Sequence, residues 1–275
     1  MIIDIHTHTF PDKIAKKALE KLAAASKVTP ATLGTQEDLR RSMREAGIDY
    51  SVVLPVATSP KQVESINRLA VETNLTSKET GIIYFGALHP DCENYRQVLL
   101  DLAQEGVSGI KLHPDYQLVF FNDIRMKRIV EAATELGLYV MVHAGEDVGL
   151  PEPIHCTPPM VEEVLRETES DRLILAHMGG WRLWDQVEEH LVGRKLYLDT
   201  AFSTDCMPEV EGMLDREAFC RMVRNHGADR ILFGTDSPWS QQAAAKDWIL
   251  STDLTREEKD VILGENAAKI LNIYD

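Results

Sequence analysis

The chain has 275 residues, of which 27% are charged, and its formal net charge is −15 at pH 7. That length suits either two ordinary domains or one large α/β barrel. The acidic residues are spread along the chain, and their excess argues against binding to nucleic acid or to anionic membranes, which requires basic patches. The sequence shows no signal peptide, no run of about 20 apolar residues and no close cysteine pair, so we expect a soluble cytoplasmic protein with reduced thiols.

Runs of apolar and β-branched residues alternate with helical periodicity along the whole chain. Eight of these runs are predicted to be strands, at residues 1–6, 49–56, 81–90, 107–114, 138–145, 172–180, 195–201 and 230–239. Helices are predicted at residues 12–25, 36–46, 61–78, 93–105, 123–136 and 214–226, and at the C-terminus. Two more are predicted between residues 136 and 214, one that begins near residue 158 and one that ends near residue 192. Strict alternation of this kind predicts a parallel sheet covered by helices.

Eight strand–helix units favour one (β/α)8 barrel, an eight-stranded parallel TIM barrel that occupies residues 1–275 as a single domain. The alternative is an open doubly wound sheet, which would have about six strands and a G-x-G-x-x-G motif after the first strand. The sequence has no such motif at that position. In a barrel of this kind the active site lies at the C-terminal ends of the strands.

Histidines and other polar residues gather at those predicted strand ends. The residues there are His6 and His8, His89, Lys111 and His113, His143, His177, Asp199 and Asp236. Successive strand residues point to opposite faces, so His6 and His8 are expected to project together into the barrel mouth. Imidazole nitrogens and carboxylate oxygens are ordinary zinc ligands, and a catalytic zinc site keeps one position open for water. The pattern therefore predicts a metal site at this end of the barrel.

Five stretches of the sequence carry a resemblance to a known family: "DIHTHTF", "GIKLHP", "VHAG", "LAHMGG" and "LFGTDSPW". They resemble the amidohydrolase superfamily, and more closely its amidohydrolase-related branch, which includes the aminocarboxymuconate-semialdehyde decarboxylase-like metal-dependent enzymes. The resemblance implies one or two divalent metal ions per chain, zinc above all. It implies metal ligation by His6, His8, His143 and Asp236. It makes His177 either a ligand of a second metal or a catalytic group that binds none.

Lys111 is predicted to point into the barrel, where a lysine is costly unless it is paired or neutralised. The resemblance offers one role, a lysine carboxylated by CO2 that bridges two metal ions. A second role is an ammonium that holds a substrate carboxylate, and a third is a structural ion pair. His113 shares this face of the strand and is a candidate for either substrate binding or structure.

Arg182 and Trp239 are further candidates for substrate binding near the mouth. The planar guanidinium of Arg182 either binds a substrate carboxylate or is solvated at the start of a helix. Trp239 either walls the pocket or packs at the base of a loop. His89 lies in the motif "LHPD", which occurs twice and is typical of turn and N-cap chemistry, so a structural role is favoured. We also expect structural roles for the three histidines away from the strand ends, His155, His190 and His226.

The leading functional expectation is a metal-dependent hydrolase that acts on a small amide, lactone or ester bearing a carboxylate. Zinc would lower the pKa of a bound water, Asp236 would move the proton, and His177 would stabilise charge on the attacked oxygen. The main alternative is a non-oxidative decarboxylase that uses the same site, with Lys111 or Arg182 holding the departing carboxylate. A TatD-like nuclease, which the negative charge disfavours, and a non-catalytic metal-binding barrel are weaker alternatives. The resemblance also suggests a homodimer.

Overall fold

The computed structural model describes residues 1–150, 152–204, 206 and 210–273. The chain folds as the predicted (β/α)8 barrel, and the strands pair in parallel in the order of the sequence, as β1-β2-β3 and β4-β5-β6-β7-β8-β9. The strands are β1 (Ile3–Thr7), β2 (Tyr50–Val53), β3 (Ile82–Tyr84), β4 (Gly86–Ala87), β5 (Gly109–Leu112), β6 (Tyr139–Val142), β7 (Leu173–Leu175), β8 (Tyr197–Asp199) and β9 (Ile231–Leu232).

The third predicted strand is formed by β3 and β4 together. Phe85 alone separates the two, and its backbone N–H donates to the carbonyl of Val53 at 3.1 Å, which keeps the chain beside β2. Strand β4 then pairs with β5, with Gly86 opposite Ile110. The nine strands of the described residues therefore correspond to the eight predicted barrel strands.

Backbone hydrogen bonds join the last strand to the first. The N–H of Ile5 donates to the carbonyl of Phe233 at 2.9 Å, and the N–H of Asp236 donates to the carbonyl of His6 at 2.8 Å. The C-terminal ends of β1 and β9 therefore lie side by side, although they are at opposite ends of the sequence.

Helices connect the strands, and several begin where a side-chain oxygen caps the first turn, as at Thr35, Asp123 and Asp215. The α-helices are α1 (Asp12–Ser26), α2 (Gln36–Ala46), α3 (Val63–Asn74), α4 (Ser77–Thr80), α5 (Tyr95–Gln104), α6 (Pro114–Gln117), α7 (Ile124–Glu135), α8 (Pro158–Thr168), α9 (Trp184–His190), α10 (Arg216–His226), α11 (Gln242–Leu250), α12 (Arg256–Asp260) and α13 (Asn266–Leu271). Short 3₁₀ turns cover Pro60–Gln62, His177–Gly179 and Ala228–Arg230, and a π-helical turn covers Val261–Glu265. No helix among the described residues combines the length and apolar character needed to cross a membrane.

The predicted helix at residues 61–78 is divided in the structure. A 3₁₀ turn precedes α3, which ends at Asn74, and α4 follows separately. The side chain of Asn74 bonds both backbone groups of Tyr84, accepting from its N–H at 2.7 Å and donating to its carbonyl at 3.0 Å. This attachment to β3 marks the end of the helix, and helical periodicity alone does not reveal it.

Several predicted strands are too long at their C-terminal ends. Strand β7 ends at Leu175, and the residues after it form a turn in which His177 and Met178 have positive φ. Strand β9 covers only Ile231–Leu232. The residues beyond these strands leave the ladder because their backbone groups bond to other parts of the mouth, as where the N–H of His177 donates to Asp199 at 2.9 Å.

A register shift in β1 orients His6 and His8. Asp4 and His6 would share a face in a regular strand. Instead Asp4 accepts a hydrogen bond from Gln242 of α11 at 2.7 Å, whereas the His6 ring reaches Asp199 of β8 at 2.7 Å. The pairing of β1 with β2 shifts between Asp4 and Thr7. Irregularities of this kind often re-aim side chains beside active sites.

The apolar core has a large cluster between helices and strands and a smaller one inside the barrel. The smaller cluster includes Ile5, Leu54, Phe85 and Met141, and among the described residues α13 is the only α-helix that contributes buried residues to it. Its side chains come mainly from strands, so it fills the barrel interior. It forms the apolar floor beneath the polar mouth.

A glycine after β6 fixes the approach of two loops at the mouth. A Cβ built on Gly145 would lie 2.0 Å from the backbone nitrogen of Trp181, whose N–H donates to the carbonyl of Ala144 at 3.0 Å. Gly137 has a similar left-handed φ, +77° against +86°, but its Cβ would meet nothing within 4 Å.

We therefore expect Gly145→Ala to destabilise the protein much more than Gly137→Ala. The backbone strain common to both costs about 1–2 kcal/mol. The backbone clash at Gly145 should raise the total loss to at least about 4 kcal/mol. Urea denaturation of the two variants measures the difference, and equal losses would show that the two loops do not approach as closely as described.

Candidate metal centre

Three side chains converge where β1 meets the segment after β9. The Nε2 atoms of His6 and His8 are 3.2 Å apart. The Oδ1 atom of Asp236 lies 3.4 Å from Nε2 of His6 and 3.0 Å from Nε2 of His8. Three of the four residues to which the resemblance assigned the metal therefore form one cluster.

Hydrogen bonds on the far side of each ring determine where the ring protons are. Nδ1 of His8 lies 2.9 Å from the carbonyl oxygen of Leu54, and Nδ1 of His6 lies 2.7 Å from Oδ2 of Asp199. Both partners are acceptors, so each Nδ1 carries the proton of the neutral ring and each Nε2 keeps a lone pair. Two nitrogen lone pairs and the carboxylate of Asp236 then face one another without a proton between them. A cation relieves this repulsion.

The spacing of the three atoms fits a divalent metal. Zinc bonds of about 2.0–2.1 Å in tetrahedral geometry place ligand atoms about 3.4 Å apart. The observed separations of 3.0, 3.2 and 3.4 Å are close to that value. Two imidazoles and one carboxylate also suit manganese, iron and cobalt.

Asp199 holds His6 in this orientation. It is buried, and besides the His6 ring it accepts the backbone N–H groups of His177 at 2.9 Å and Ala201 at 3.0 Å. Burial raises the pKa of Asp199, while the ammonium of Lys111 and the two backbone N–H groups oppose the rise. The sequence placed Asp199 at a strand end without a role. The structure makes it the residue that fixes the tautomer of His6, a candidate ligand.

Lys111 points into the barrel, as expected, and is 1% exposed. Its Nζ lies 3.4 Å from Nε2 of His6, beside the three-residue cluster. Burial lowers the pKa of Lys111, and the carboxylates of Asp199 and Asp236 counteract that effect. The lysine is therefore a buried basic group adjacent to the candidate metal ligands.

His177 contacts both the cluster and the fourth predicted ligand. Its ring centroid is 5.4 Å from that of His6 and 4.8 Å from that of His143. Its Nδ1 lies 2.8 Å from the carbonyl of Ala201, and its Nε2 lies 3.0 Å from Nδ1 of His143. The structure thus places His143 against His177 rather than within the cluster of His6, His8 and Asp236.

Burial keeps four histidine rings at the barrel mouth neutral. It lowers the pKa of His6, His113 and His143 well below the ordinary value, and it lowers the pKa of His177 to about 4. The positive charge of Lys111 lowers all four further. Neutral imidazole is the form that binds metal ions.

The other predicted substrate-binding residues lie in different surroundings. His113 is buried, and its ring stacks on that of His143 with centroids 4.1 Å apart. The Arg182 guanidinium lies over the Trp181 ring at 4.2 Å, and 3.5 Å from the carboxylate of Glu146. Trp239 is half-buried and packs against an apolar cluster that contains Trp181. Arg182 therefore has partners already, and Trp239 packs against the cluster formed by Val28, Trp181 and Phe202.

The remaining histidines make local structural contacts. Nδ1 of His89 accepts the backbone N–H of Asp91 at 3.2 Å, which agrees with the predicted turn chemistry of "LHPD". His190 pairs with Glu162 at 2.8 Å on the outer surface. The other two are buried, with Asp115 3.0 Å from His155 and the carbonyl of Leu196 2.9 Å from His226.

Sequence reasoning assigned no role to Asp147, which begins the proline-rich segment 147–159. The structure places its Oδ2 3.5 Å from Nε2 of His113 and 3.9 Å from Nε2 of His143. The only signal in the sequence is an acidic residue four positions after His143. The sequence position of a loop residue does not indicate the direction of its side chain.

Residues 3–273 match the family model described as amidohydrolase. The chain belongs to the amidohydrolase family. This assignment confirms the resemblance drawn from the five sequence stretches and identifies the chain as a member of a family of metal-dependent enzymes. A comparison with the curated proteins finds no match.

Solved structures share this amidohydrolase fold over nearly the whole chain. The 5-carboxyvanillate decarboxylase of Sphingomonas paucimobilis is 16% identical, covers 99% of each chain and has a TM-score of 0.70. A dihydroxybenzoic acid decarboxylase of Polaromonas sp. JS666, with bound manganese and the inhibitor 2-nitroresorcinol, is also 16% identical, with a TM-score of 0.70 over 99% of this chain and 97% of its own. An uncharacterised TIM-barrel protein of Bordetella bronchiseptica has a TM-score of 0.72 at 16% identity over 98% of each chain. At this identity the likeness establishes the fold.

We expect Asp199→Asn to weaken metal binding about 10- to 100-fold, because the residue orienting a ligand histidine commonly contributes that much. Competition with a chromogenic chelator measures the affinity. Asp115→Asn is the matched control, since Asp115 is also a buried carboxylate bonded to a histidine Nδ1 but lies outside the cluster. Equal affinities in the two variants would contradict the role given to Asp199.

Proposed function

We propose that this amidohydrolase-family chain is a metal-dependent decarboxylase of a small organic acid, with the cation held by His6, His8 and Asp236. The observation that carries the proposal is the buried amino group of Lys111 beside those ligands. Among the described residues, the amino group has one hydrogen-bond contact, with Nε2 of His6 at a long 3.4 Å. An ammonium has three N–H donors. Donors therefore remain for an incoming carboxylate, whose negative charge would compensate for the burial of the lysine.

His6, His8 and Asp236 would hold a divalent cation, which would supply a Lewis acid for a substrate oxygen. Lys111 orients the carboxylate that leaves. In the reaction the bond from the carboxylate carbon to its neighbour breaks, CO2 departs, and the electron pair stays on the neighbouring carbon. That carbon then takes up a proton. Asp236 is placed to direct a proton from water to that carbon, because its side chain lies at the open side of the cluster and is 13% exposed.

Two structural neighbours support the choice of reaction. By name they act on aromatic acids, 5-carboxyvanillate and a dihydroxybenzoic acid. The sequence alone favoured hydrolysis over decarboxylation, and the cluster of ligands suits either. The neighbours and the position of Lys111 together are the reason for placing CO2 release first.

Hydrolysis of a small amide, lactone or ester is the second candidate. The observation that favours it is the open side of the cluster, where the His8 and Asp236 side chains are 20% and 13% exposed. Water can reach the ligands from this side, and the carboxylate of Asp236 can accept a proton from it. We expect zinc at the site in either case, although manganese occupies the Polaromonas neighbour.

The reaction is tested by supplying the metal-replete protein with hydroxybenzoates and other small carboxylates, and in parallel with esters, lactones and amides. We expect CO2 release from at least one acid, its loss after treatment with a chelator, and its return when zinc or manganese is added. We expect Asp236→Asn to lower kcat about 10²- to 10⁴-fold, the usual contribution of a group that transfers a proton. Asp171→Asn, on the exposed surface, should leave kcat unchanged.

Turnover of esters or lactones without CO2 release from any acid would overturn decarboxylation and favour the second candidate. Full activity of Asp236→Asn would overturn both reactions as described here.

Lys111→Met separates carboxylate binding from the chemical step. Methionine preserves most of the buried volume but removes the ammonium. Because hydrogen bonds to charged groups contribute about 1.5–3 kcal/mol, we expect kcat/KM to fall about 10- to 100-fold, with a raised KM. Lys127→Met is the control, since Lys127 forms ion pairs with Glu163 and Glu167 between outer helices. An unchanged KM in Lys111→Met would show that the lysine does not bind substrate.

A further inference from the structure

A short helix after β5 presents a tyrosine that the proposed reaction does not involve. Helix α6 begins at Pro114 and ends at Gln117, so Tyr116 lies three positions after His113. Tyr116 is half-buried. Its ring stacks on that of His113, with centroids 3.9 Å apart and an angle of 7° between the planes.

Hydrogen bonds from Gln117 fix this stack. The side-chain oxygen of Gln117 accepts the N–H of His113 at 3.2 Å, and its side-chain nitrogen donates to the carbonyls of Ala57 at 3.0 Å and Leu88 at 2.7 Å. These bonds tie α6 to the segments after β2 and β4. The N–H of Tyr116 also donates to Nδ1 of His113 at 3.3 Å. Because the fold already orders the tyrosine, little ordering is needed when a ligand binds.

The stack leads from Tyr116 to the candidate metal centre. The ring of His113 stacks in turn on that of His143, with centroids 4.1 Å apart. Nδ1 of His143 lies 3.0 Å from Nε2 of His177, whose ring centroid is 5.4 Å from that of His6. Tyr116 therefore ends a row of rings whose other end is a candidate ligand.

The hydroxyl of Tyr116 forms no hydrogen bond with the described residues. Burial raises the pKa of Tyr116, and the carboxylates of Asp147, Asp236 and Asp115 raise it further. The phenol is therefore protonated at neutral pH and has one O–H to donate. Asp236 belongs to the candidate metal centre, so the hydroxyl lies within the electrostatic influence of the site.

The charges near this hydroxyl determine which group it can bind. A carboxylate there would be repelled by the carboxylates of Asp147, Asp236 and Asp115. An uncharged hydroxyl or carbonyl oxygen accepts the O–H without that repulsion. The positive charge of Lys111 lowers the pKa of His113 and is the charge available to compensate one substrate carboxylate.

We propose that Tyr116 is a specificity-determining residue, whose hydroxyl donates a hydrogen bond to an uncharged oxygen of the substrate, beyond the carboxylate that Lys111 binds. This inference rests on the proposed function. It narrows the substrate to acids that carry one carboxylate and a neutral hydroxyl or carbonyl group. An acid without such a group, or with a second carboxylate, binds less tightly.

The test compares benzoate with the monohydroxybenzoates and the benzenedicarboxylates as ligands of the Zn²⁺-loaded protein. Isothermal titration calorimetry gives the dissociation constants, and kcat/KM replaces them for any acid that is turned over. We expect at least one monohydroxybenzoate to be preferred over benzoate about 2- to 10-fold, the usual effect of one uncharged hydrogen bond. The dicarboxylates should bind less tightly than benzoate.

Tyr116→Phe keeps the stacked ring and removes the hydroxyl, so it should abolish the preference for the monohydroxybenzoate and leave the affinity for benzoate unchanged. Tyr50→Phe is the matched control, because Tyr50 is also half-buried but begins β2, at the opposite end of the barrel from the mouth. It should keep the preference. Thermal melting shows whether each variant has folded, and the ranking of acids by the wild-type protein tests the proposal without any variant.

The absence of a preference in the wild type, its survival in Tyr116→Phe, or tightest binding of a dicarboxylate would overturn the role of Tyr116. CO2 release alongside any of these results would leave the proposed function standing. A preference that is lost in Tyr116→Phe, without CO2 release from any acid, would support Tyr116 and overturn decarboxylation. Failure of every acid to bind would overturn both.

Discussion

The whole site depends on the absence of a proton between two imidazole nitrogens and a carboxylate. The Nδ1–H groups of His6 and His8 donate hydrogen bonds to Asp199 and to the carbonyl of Leu54, on the side of each ring away from Asp236. The near sides are therefore lone pairs, directed at the carboxylate of Asp236. A protein can maintain such an arrangement only if folding imposes it, because each group alone would turn toward a donor or toward water. The fold thus holds together three electron-rich groups whose repulsion the proposed cation would relieve.

The barrel holds these groups together through its backbone. The N–H of Asp236 donates to the carbonyl of His6, so two of the proposed ligands are held by one hydrogen bond between the first strand and the segment after the last. The register shift in β1 then turns His6 toward β8, away from the helix α11 that Asp4 contacts. Asp236 itself has a left-handed φ of 64°, which aspartate tolerates better than most residues. The irregular backbone is concentrated where the side chains must converge.

The sequence predicts the parts of the site that follow from strand position. The barrel, the His6–His8 pair, the inward Lys111 and the nearby Asp236 all follow from alternation along strands whose ends meet at one rim. The partners of His143 do not follow, because the rotation of its ring is decided by His177 on one side and His113 on the other. Asp147 is unpredictable for a related reason, since the direction of a loop side chain is set by packing that no local pattern encodes. The break at Phe85 and the early ends of β7 and β9 likewise reflect bonds to distant residues.

The joining of the two chain ends has a consequence for biosynthesis. Asp4 and Thr235, whose hydrogen bonds lie beside the ligands, are 231 positions apart in the sequence. His6 and His8 therefore emerge from the ribosome long before Asp236 is synthesised. During that time the nascent chain exposes the two histidines without the carboxylate of Asp236 beside them. Contacts of such long range form late in folding. An ion that requires all three ligands would be captured only once nearly the whole barrel has emerged, so metal uptake would follow synthesis and report that the barrel has closed.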